Sequence, residues 1–376
     1  MLDKSKLIAQ LHKVADQLFA DKSNSYEHIR ALWSAIIADP LFLHKVKRVD
    51  NAPWPVPLWH ENLGQITDVS CYSKPHVVLS VDGSQIYPDR HHVSPCFLIN
   101  TGSVVLPYAH QAQKVELYSM PTVFVVEDAG MPFTTDMVNC KRQELELQEG
   151  LVLAKRIKEA YVHCPLVSTL LFDGSLIFWH LSSKEKEIRD LFLHSYCALL
   201  HELYSEKIVT AWYISAPKSK ELVNLVRLYL CDFDPTKKEA YEMCNAVTDT
   251  TIMHSFLPSF TRSIVFQNGS SISDYYPSVV RPYFFYMNVG QEIGRVEIPA
   301  WIAHDECLVN DIASIVLDQC TKGDGYPVAL AEAHEQAVIK GPDRDFFYHF
   351  LQKMIIERGK RVSVSRKSLK KRGIQI

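Results

Sequence analysis

Two short apolar runs, far apart in the chain, lead into the same polar triplet. Residues 77–81 are apolar and mostly β-branched apart from one serine, and an Asp-Gly-Ser triplet follows at Asp82; residues 170–172 lead likewise into Asp173. Such short runs, bounded by glycine, are typical of strands buried on both faces. A carboxylate at the end of a buried strand is costly to desolvate without a cation nearby. The pattern predicts two strands, ending at Asp82 and Asp173, whose carboxylates lie side by side at one sheet edge and could bind divalent metal ions.

A purely structural explanation competes with this prediction. Asp-Gly is a common turn dipeptide, and a single copy after a strand is usually only a turn. Two copies that each follow a predicted strand favour a functional site more strongly than a single copy does. From these residues alone both explanations stay open.

Periodicity and turn residues predict the remaining elements. Helices are predicted at 3–20, 26–38, 136–161, 182–202, 219–231 and 305–320, and after a Gly-rich turn at 323–327. Strands are predicted at 95–107 with a hairpin turn near Thr101-Gly102, at 122–127, at 208–215, and as a pair over 279–299 with a turn at Val289-Gly290. Residues 39–75 are predicted to be a connector, and 232–280 an insertion of helix and loop. Because several strands precede the first long helix, the sheet is expected to start antiparallel.

The long helix predicted over 136–161 carries a carboxylate within its apolar stripe. On a helical wheel Glu146 projects into that stripe, Glu149 lies at its edge, and Glu144 falls on the opposite, solvated side. A glutamate that faces a core needs a partner. That partner could be a buried Arg or Lys, or a metal ion shared with the strand-end carboxylates, and Glu146 could then meet Asp173.

The last predicted helix carries His334 in the middle of an apolar face that includes Leu330, Ala333 and Ala337. A lone histidine in such a face is usually a packed core residue with one hydrogen bond. The alternative is that His334 faces the same sheet edge as the two aspartates.

Composition is that of an ordinary globular protein able to bury a large core. Of 376 residues, 47% are hydrophobic and 22% charged, and the net charge is −3. No apolar run approaches the ~20 residues that span a bilayer. The nine cysteines form no Cys-x-x-Cys pair, which indicates reduced thiols in a cytoplasmic protein.

Residues 358–376 carry eight Lys or Arg and no acid, so this basic tail is either a solvated terminus or a phosphate contact.

The candidate residues occur in the order Asp, Glu, Asp, His, which resembles the order of metal ligands in ribonuclease H-like nucleases. More narrowly, the chain resembles the NurA nuclease family. The resemblance covers about 75–340 and is carried by residues 81–84, 172–176, 295–301 and 325–335. It implies an α/β fold, a ribonuclease H-like mixed sheet flanked by helices, with N-terminal helices and a helical or loop insertion. The implied domains are an N-terminal helical and connector region at 1–74, a nuclease domain at 75–345 with its insertion at 232–280, and a C-terminal helix and basic tail at 346–376.

For the chemistry, the resemblance implies metal-dependent hydrolysis of phosphodiester bonds. Two Mn²⁺ or Mg²⁺ ions, about 4 Å apart, would activate water and stabilise the leaving oxygen. Asp82 would bridge both ions, while Glu146 and Asp173 would each bind one. His334 would be a ligand or a proton carrier, and Tyr326 would orient DNA or a ligand.

For the biology, the resemblance implies DNA end resection in double-strand break repair, with exonuclease and single-strand endonuclease activity. The partners would be DNA, a HerA-like hexameric ATPase and a second copy in a homodimer, with no membrane. Two alternatives stay open: a non-catalytic DNA-binding or assembly subunit with the same fold, and a ribonuclease H-like nuclease acting on RNA. A P-loop NTPase is disfavoured because the sequence contains no such motif.

Overall fold

The structure, a computed structural model, describes residues 2–18, 23–49, 52–88, 96–108, 114–125, 134–161 and 167–359. The strands within these ranges are β1 (Ile66–Asp68), β2 (His76–Ile86), β3 (Cys96–Tyr108), β4 (Glu116–Val125), β5 (Val167–Asp173), β6 (Val209–Ile214), β7 (Thr261–Ser263), β8 (Phe266–Gln267), β9 (Pro282–Asn288) and β10 (Ile293–Pro299). The α-helices are α1 (Lys4–Leu18), α2 (Ser23–Ala38), α3 (Phe42–Val46), α4 (Thr135–Ala160), α5 (Lys186–Ser205), α6 (Glu221–Leu230), α7 (Asp249–Phe256), α8 (Ala300–Ala303), α9 (Glu306–Lys322), α10 (Val328–Ala337) and α11 (Gly341–Glu357).

The strands of the described chain form a single mixed sheet. Their order is β1-β7-β9-β10-β6-β5-β2-β3-β4, with β8 paired to β9. The strands β2, β3 and β4 are antiparallel, as predicted, whereas β5 and β6 continue the sheet from β2 in parallel. Then β10 and β9 follow antiparallel. The predicted α/β class, a mixed sheet flanked by helices, is confirmed.

Strand β2 is longer than the apolar run that predicted it. It continues through Asp82 to Ile86, because β3 pairs with it along its whole length. The parallel ladder to β5 stops earlier, at Ser80 and Leu171. The prediction that Asp82 ends a strand is therefore wrong: Asp82 lies inside β2, at the point where β2 and β5 separate. Asp173 is the last residue of β5, as predicted.

Strand β3 is continuous, so the hairpin turn predicted near Thr101-Gly102 is wrong. Gly102 pairs with Asp82 in β2, and the ladder to β4 runs past it. A Cβ atom on Gly102 would lie 2.4 Å from the backbone nitrogen of Ala337 and 2.5 Å from the carbonyl oxygen of Ala333. This glycine therefore permits the close approach of α10 rather than a turn.

Neighbouring residues of β2 pack on opposite faces of the sheet, as strand geometry requires. Val77, Leu79 and Val81 are buried with α4 and α5 on one face. Val78 is buried with α9 and α10 on the other face. The helices that carry Glu146 and His334 therefore approach β2 from opposite faces of the sheet.

A third cluster joins the N-terminal region to the other half of the sheet. Trp33 of α2 and Trp59 of the connector are buried with residues of α6, α7 and β9. The segment 232–280 supplies α7, and it also supplies β7 and β8, which the sequence pattern did not predict. The predicted turn between β9 and β10 is present, and Gly290 there has φ +98°.

The N-terminal helix α1 differs from this packed centre. Leu7, Ile8 and Leu11, on the apolar stripe of α1, are 41%, 55% and 49% exposed. The basic tail beyond residue 359 lies outside the described residues, as do 19–20, 95 and 126–127 of predicted elements. Among the helices that the structure describes, none is long and apolar enough to cross a bilayer.

Candidate active site

Asp82 and His334 are distant in the sequence and in direct contact in the fold. His334 Nδ1 lies 2.8 Å from Asp82 Oδ2, and the Gly83 N–H donates to Asp82 Oδ1 over 2.7 Å. The His334 side chain is 65% exposed. The prediction that His334 lies within the apolar face of its helix is therefore wrong, and a packed core role is excluded.

Side chains of β2 and β3 fix the end of α10 that carries His334. The Ser84 hydroxyl and Asn100 Nδ2 both donate to the carbonyl oxygen of Ala337, over 2.5 Å and 2.8 Å. The close approach of the helix at Gly102 adds to this docking. These contacts hold His334 against β2.

Glu146 points from α4 toward the same stretch of β2. Its side chain is 15% exposed, and Oε1 accepts a hydrogen bond from Arg142 Nη1 over 2.9 Å. Arg142 Nη1 also donates to the carbonyl oxygen of Gly83 over 2.9 Å and lies 4.0 Å from Asp82 Oδ1. Burial is the main reason that the pKa of Glu146 is raised to about 8; Arg142 opposes the rise, while Asp82 and Asp173 add to it.

The structure separates the three competing glutamates of α4. Glu144 faces α5, where it accepts a hydrogen bond from the Ser195 hydroxyl, so the prediction that it lies on a solvated side is wrong. Glu149 is half-buried further along the helix. A Cβ atom on Gly83 would lie 2.6 Å from Glu146 Oε1. Of the three, Glu146 is the one that the structure brings into contact with β2.

Asp173 lies at a sharp turn, and its carboxylate interacts with Tyr326. Gly174 has φ +91°, which favours glycine, and its N–H donates to the Tyr213 carbonyl over 3.0 Å. The rings of Tyr213 and Tyr326 pack edge to face at 5.9 Å. Loss of surrounding water raises the pKa of Asp173; the interaction with the Tyr326 side chain opposes this, and the charge of Asp82 adds to it.

Comparison with known families identifies the family to which this chain belongs. The family model described as the NurA domain matches residues 76–339, more than half of the chain and the whole interval from Asp82 to His334. The chain belongs to the NurA family. Among curated proteins, none matches it.

Solved NurA structures resemble this chain. The crystal structure of the NurA nuclease from Sulfolobus solfataricus matches with a TM-score of 0.51 and 16% identity, over 92% of this chain and 98% of that one. A second NurA crystal structure has a TM-score of 0.42 and 10% identity, over 94% and 98%. A crystal structure of NurA with manganese has a TM-score of 0.38 and 10% identity, over 89% of this chain and 96% of that one. Of these three, the first has a TM-score above 0.5, and its likeness shows a shared fold.

The donor groups of this NurA domain suit a divalent cation, although their atoms now bond to protein groups. Carboxylate oxygens with an imidazole nitrogen are ligands that Mn²⁺ and Mg²⁺ accept. Within the described ranges, no group of three or more His, Cys, Asp or Glu side chains is already arranged to hold a metal ion. Arg142 lies between Asp82 and Glu146, and His334 bonds to Asp82. The raised pKa values of Glu146 and Asp173 reflect both burial and negative charges that crowd one another, a situation that a cation relieves.

A buried ionic network fixes the loop that follows β5. Glu297 Oε2 accepts hydrogen bonds from the Ser175 hydroxyl and the Leu176 N–H, both over 2.8 Å. Arg295 Nε donates to Glu297 Oε1 over 2.8 Å, and Arg295 Nη2 lies 2.9 Å from Glu221 Oε1. All three charged residues are buried, and removing one of them would leave a buried charge without its partner.

Sequence reasoning missed both Arg142 and Glu297. Arg142 lies one helical turn before Glu146, and residues at this spacing are neighbours on a helix surface. That spacing could have identified Arg142 as the cationic partner. Glu297 lies in the stretch 295–301 that resembles the family, but its bond to Ser175 joins positions far apart in the chain and has no local sequence signal.

Proposed function

We propose that this protein is a metal-dependent nuclease that hydrolyses phosphodiester bonds in DNA. The observation that carries the proposal is the gathering of Asp82, Glu146, Asp173 and His334 where β2 and β5 separate, in a chain of the NurA family. Three crowded acids and a histidine suit hydrolysis assisted by divalent cations.

In this proposal Asp82, Glu146 and Asp173 would hold Mn²⁺ or Mg²⁺, and His334 would be a further ligand or a proton carrier. When bound, the ions supply an activated water and neutralise charge on the phosphate. Arg142 now bonds to Glu146 over 2.9 Å. It therefore has to release or share that carboxylate when the site is loaded.

His334 and Tyr326 have different proposed roles. Because His334 bonds to Asp82 through Nδ1 and its ring is largely exposed, Nε2 can either bind a metal ion or deliver a proton to the leaving oxygen, but not both at once. The Tyr326 side chain interacts with the Asp173 carboxylate and lowers its pKa, so we assign it first to positioning that carboxylate and second to orienting DNA.

The test is cleavage of labelled single- and double-stranded DNA with Mn²⁺, Mg²⁺ or EDTA. Loss of a group that only supports a metal ligand typically lowers activity by about 10- to 100-fold. Asp82→Asn and Asp173→Asn each change a proposed ligand itself, so each should lower cleavage by about 100-fold or more. Glu335→Gln, an exposed carboxylate beside His334, is the matched control and should cleave normally. A folded protein that binds DNA without cleaving it would favour the non-catalytic subunit, and cleavage of RNA alone would favour the RNA-directed nuclease.

Calorimetry with Mn²⁺ separates metal binding from catalysis. Asp82→Asn and Asp173→Asn should each reduce Mn²⁺ binding sharply, whereas Glu335→Gln should leave it unchanged. Undiminished Mn²⁺ binding in both aspartate variants would overturn the assignment of these residues as ligands.

Membership of the NurA family supports finer proposals about partners. We propose that the protein acts at DNA ends in double-strand break repair, as a homodimer with a HerA-like hexameric ATPase, in the cytoplasm. The cytoplasmic proposal also rests on the cysteines, since six of the eight that are described are buried in the fold. Light scattering of the purified protein, alone and with such an ATPase, tests both assemblies: a monomer in both samples would refute them.

A further inference from the structure

A cavity of about 400 Å³ lies beside the candidate active site. Its walls come from the loop after β5, the loop after β6, the start of α6 and β10, and they include Ser175, Trp179, Lys218, Lys220 and Arg295. We call it the Trp179 cavity. Ser175 is two residues beyond Asp173, and two residues of chain span at most about 7 Å. The cavity therefore begins within a short distance of the candidate metal ligands.

The accessible charge at the mouth of the Trp179 cavity is positive. The two carboxylates in its wall, Glu221 and Glu297, both pair with the buried Arg295. Lys218 is exposed and Lys220 is half-buried. Lys220 Nζ donates to the Asn245 carbonyl over 2.6 Å, and because an ammonium group has three donors, further donors remain for an anion.

Trp179 supplies an aromatic surface between two concavities. It is 39% exposed, and a second cavity of about 380 Å³ also has Trp179 in its wall. Its backbone is held, because the Ser182 hydroxyl donates to the Trp179 carbonyl over 2.6 Å and the Trp179 N–H donates to the Ile177 carbonyl over 2.7 Å. The preceding Phe178 is buried against the ring of Tyr196 at 4.4 Å. The backbone that carries the indole is therefore fixed, and solvent can reach the indole.

We propose that the Trp179 cavity binds a nucleotide of the substrate strand near the scissile phosphate. Trp179 stacks on the base, and Lys218 and Lys220 contact the adjacent phosphates. This combination of an aromatic platform with cations is how proteins bind single strands without reading their sequence. The proposal rests on the proposed nuclease function, since it places the cavity along the path of a strand whose phosphate lies at Asp173.

Binding of a fluorescein-labelled oligo(dT) in EDTA tests the cavity without cleavage. Trp179→Ala should weaken binding by about 5- to 100-fold, the range for loss of one stacked base, and Trp179→Phe should retain most of the affinity. The double variant Lys218→Ala, Lys220→Ala should lower the slope of log affinity against log salt by about 0.7 for each lost phosphate contact. Lys6→Ala, an exposed lysine on α1, is the matched control and should leave the slope unchanged.

Abasic scanning locates the stacked base. In the wild-type protein, one abasic position in the oligonucleotide should reduce affinity about as much as Trp179→Ala does, and in Trp179→Ala that position should cost nothing further. If the wild type binds and cleaves DNA but Trp179→Ala binds as tightly as Lys6→Ala, the cavity is not a nucleotide site and the nuclease proposal stands. If the wild type neither binds nor cleaves DNA, both proposals fail.

Discussion

Glu146→Gln tests the charge balance of the candidate site most directly. The pKa of Glu146 is raised from its ordinary value of 4.5 to about 8, chiefly because the carboxylate is buried. An acid with a higher pKa in the folded than in the unfolded chain binds its proton more tightly when folded. Its favourable contribution to stability is therefore complete below pH 4.5 and lost as the pH rises to about 8.

The magnitude follows from the pKa difference. One pKa unit is worth about 1.4 kcal/mol, so the rise from 4.5 to about 8 predicts a loss of about 5 kcal/mol of unfolding free energy across this pH range. The side chain is only 15% exposed, so solvent screens little of this effect. Glutamine has nearly the same shape and no charge. The variant should therefore lack this part of the pH dependence and be the more stable protein above about pH 8.

Urea unfolding of both proteins in EDTA, between about pH 5 and pH 9, measures the difference. Glu149→Gln, about one turn further along α4, is the matched control and should keep the wild-type dependence because it leaves Glu146 in place. At about pH 8, Mn²⁺ should stabilise the wild type more than Glu146→Gln, since a cation favours the ionised carboxylate. A stability difference between wild type and Glu146→Gln that stays constant with pH would refute this account of the site.

Four further predictions concern the neighbours of Glu146 and the chain end. Arg142→Ala should move the pH-dependent loss of stability to higher pH, because Arg142 lowers the pKa of Glu146; the same urea series measures it. Gly83→Ala should impair cleavage more than melting temperature, since the new Cβ would lie 2.6 Å from Glu146 Oε1. His334→Ala should abolish most cleavage but change unfolding free energy in EDTA by less than about 1 kcal/mol, as expected for an exposed residue. Deleting residues 358–376 should lower the salt slope of DNA binding by about 0.7 to 0.9 per lost contact, and an identical slope would show that the tail is only solvated surface.

Local patterns predicted most elements because the relevant forces are local. Apolar periodicity and turn residues lie within a short stretch of sequence around each element. These signals predicted the 26-residue helix α4 and the strands β5, β6, β9 and β10. The failure at Gly102 has a different cause. A glycine in a strand pattern signals either a turn or a close approach, and only the approach of Ala333 and Ala337, more than 200 residues further along the chain, decides between them.

The sequence predicted which residues make up the candidate site, but not which contacts they make with one another. The order Asp82, Glu146, Asp173, His334 could be read from the sequence, and the structure brings all four to one region. The exposure of His334 could not be predicted, because the alanines at 329, 331, 333 and 337 lie on several sides of the helix and give the apolar face no sharp edge. The 252-residue separation between Asp82 and His334 likewise leaves no local signal of their contact.

The unequal lengths of two ladders on β2 explain why the acids meet where they do. The parallel ladder from β5 ends at Ser80, while β3 holds β2 in strand conformation beyond it. Past that point a β2 backbone group on the open side needs a new partner, because an unpaired polar group in a half-buried cleft is costly. Arg142 supplies it by donating to the Gly83 carbonyl, and the same guanidinium reaches Glu146. A cation that displaces Arg142 from Glu146 need not displace it from Gly83, since a guanidinium has several donors. The site can therefore bind a cation while Arg142 keeps its hydrogen bond to the Gly83 carbonyl.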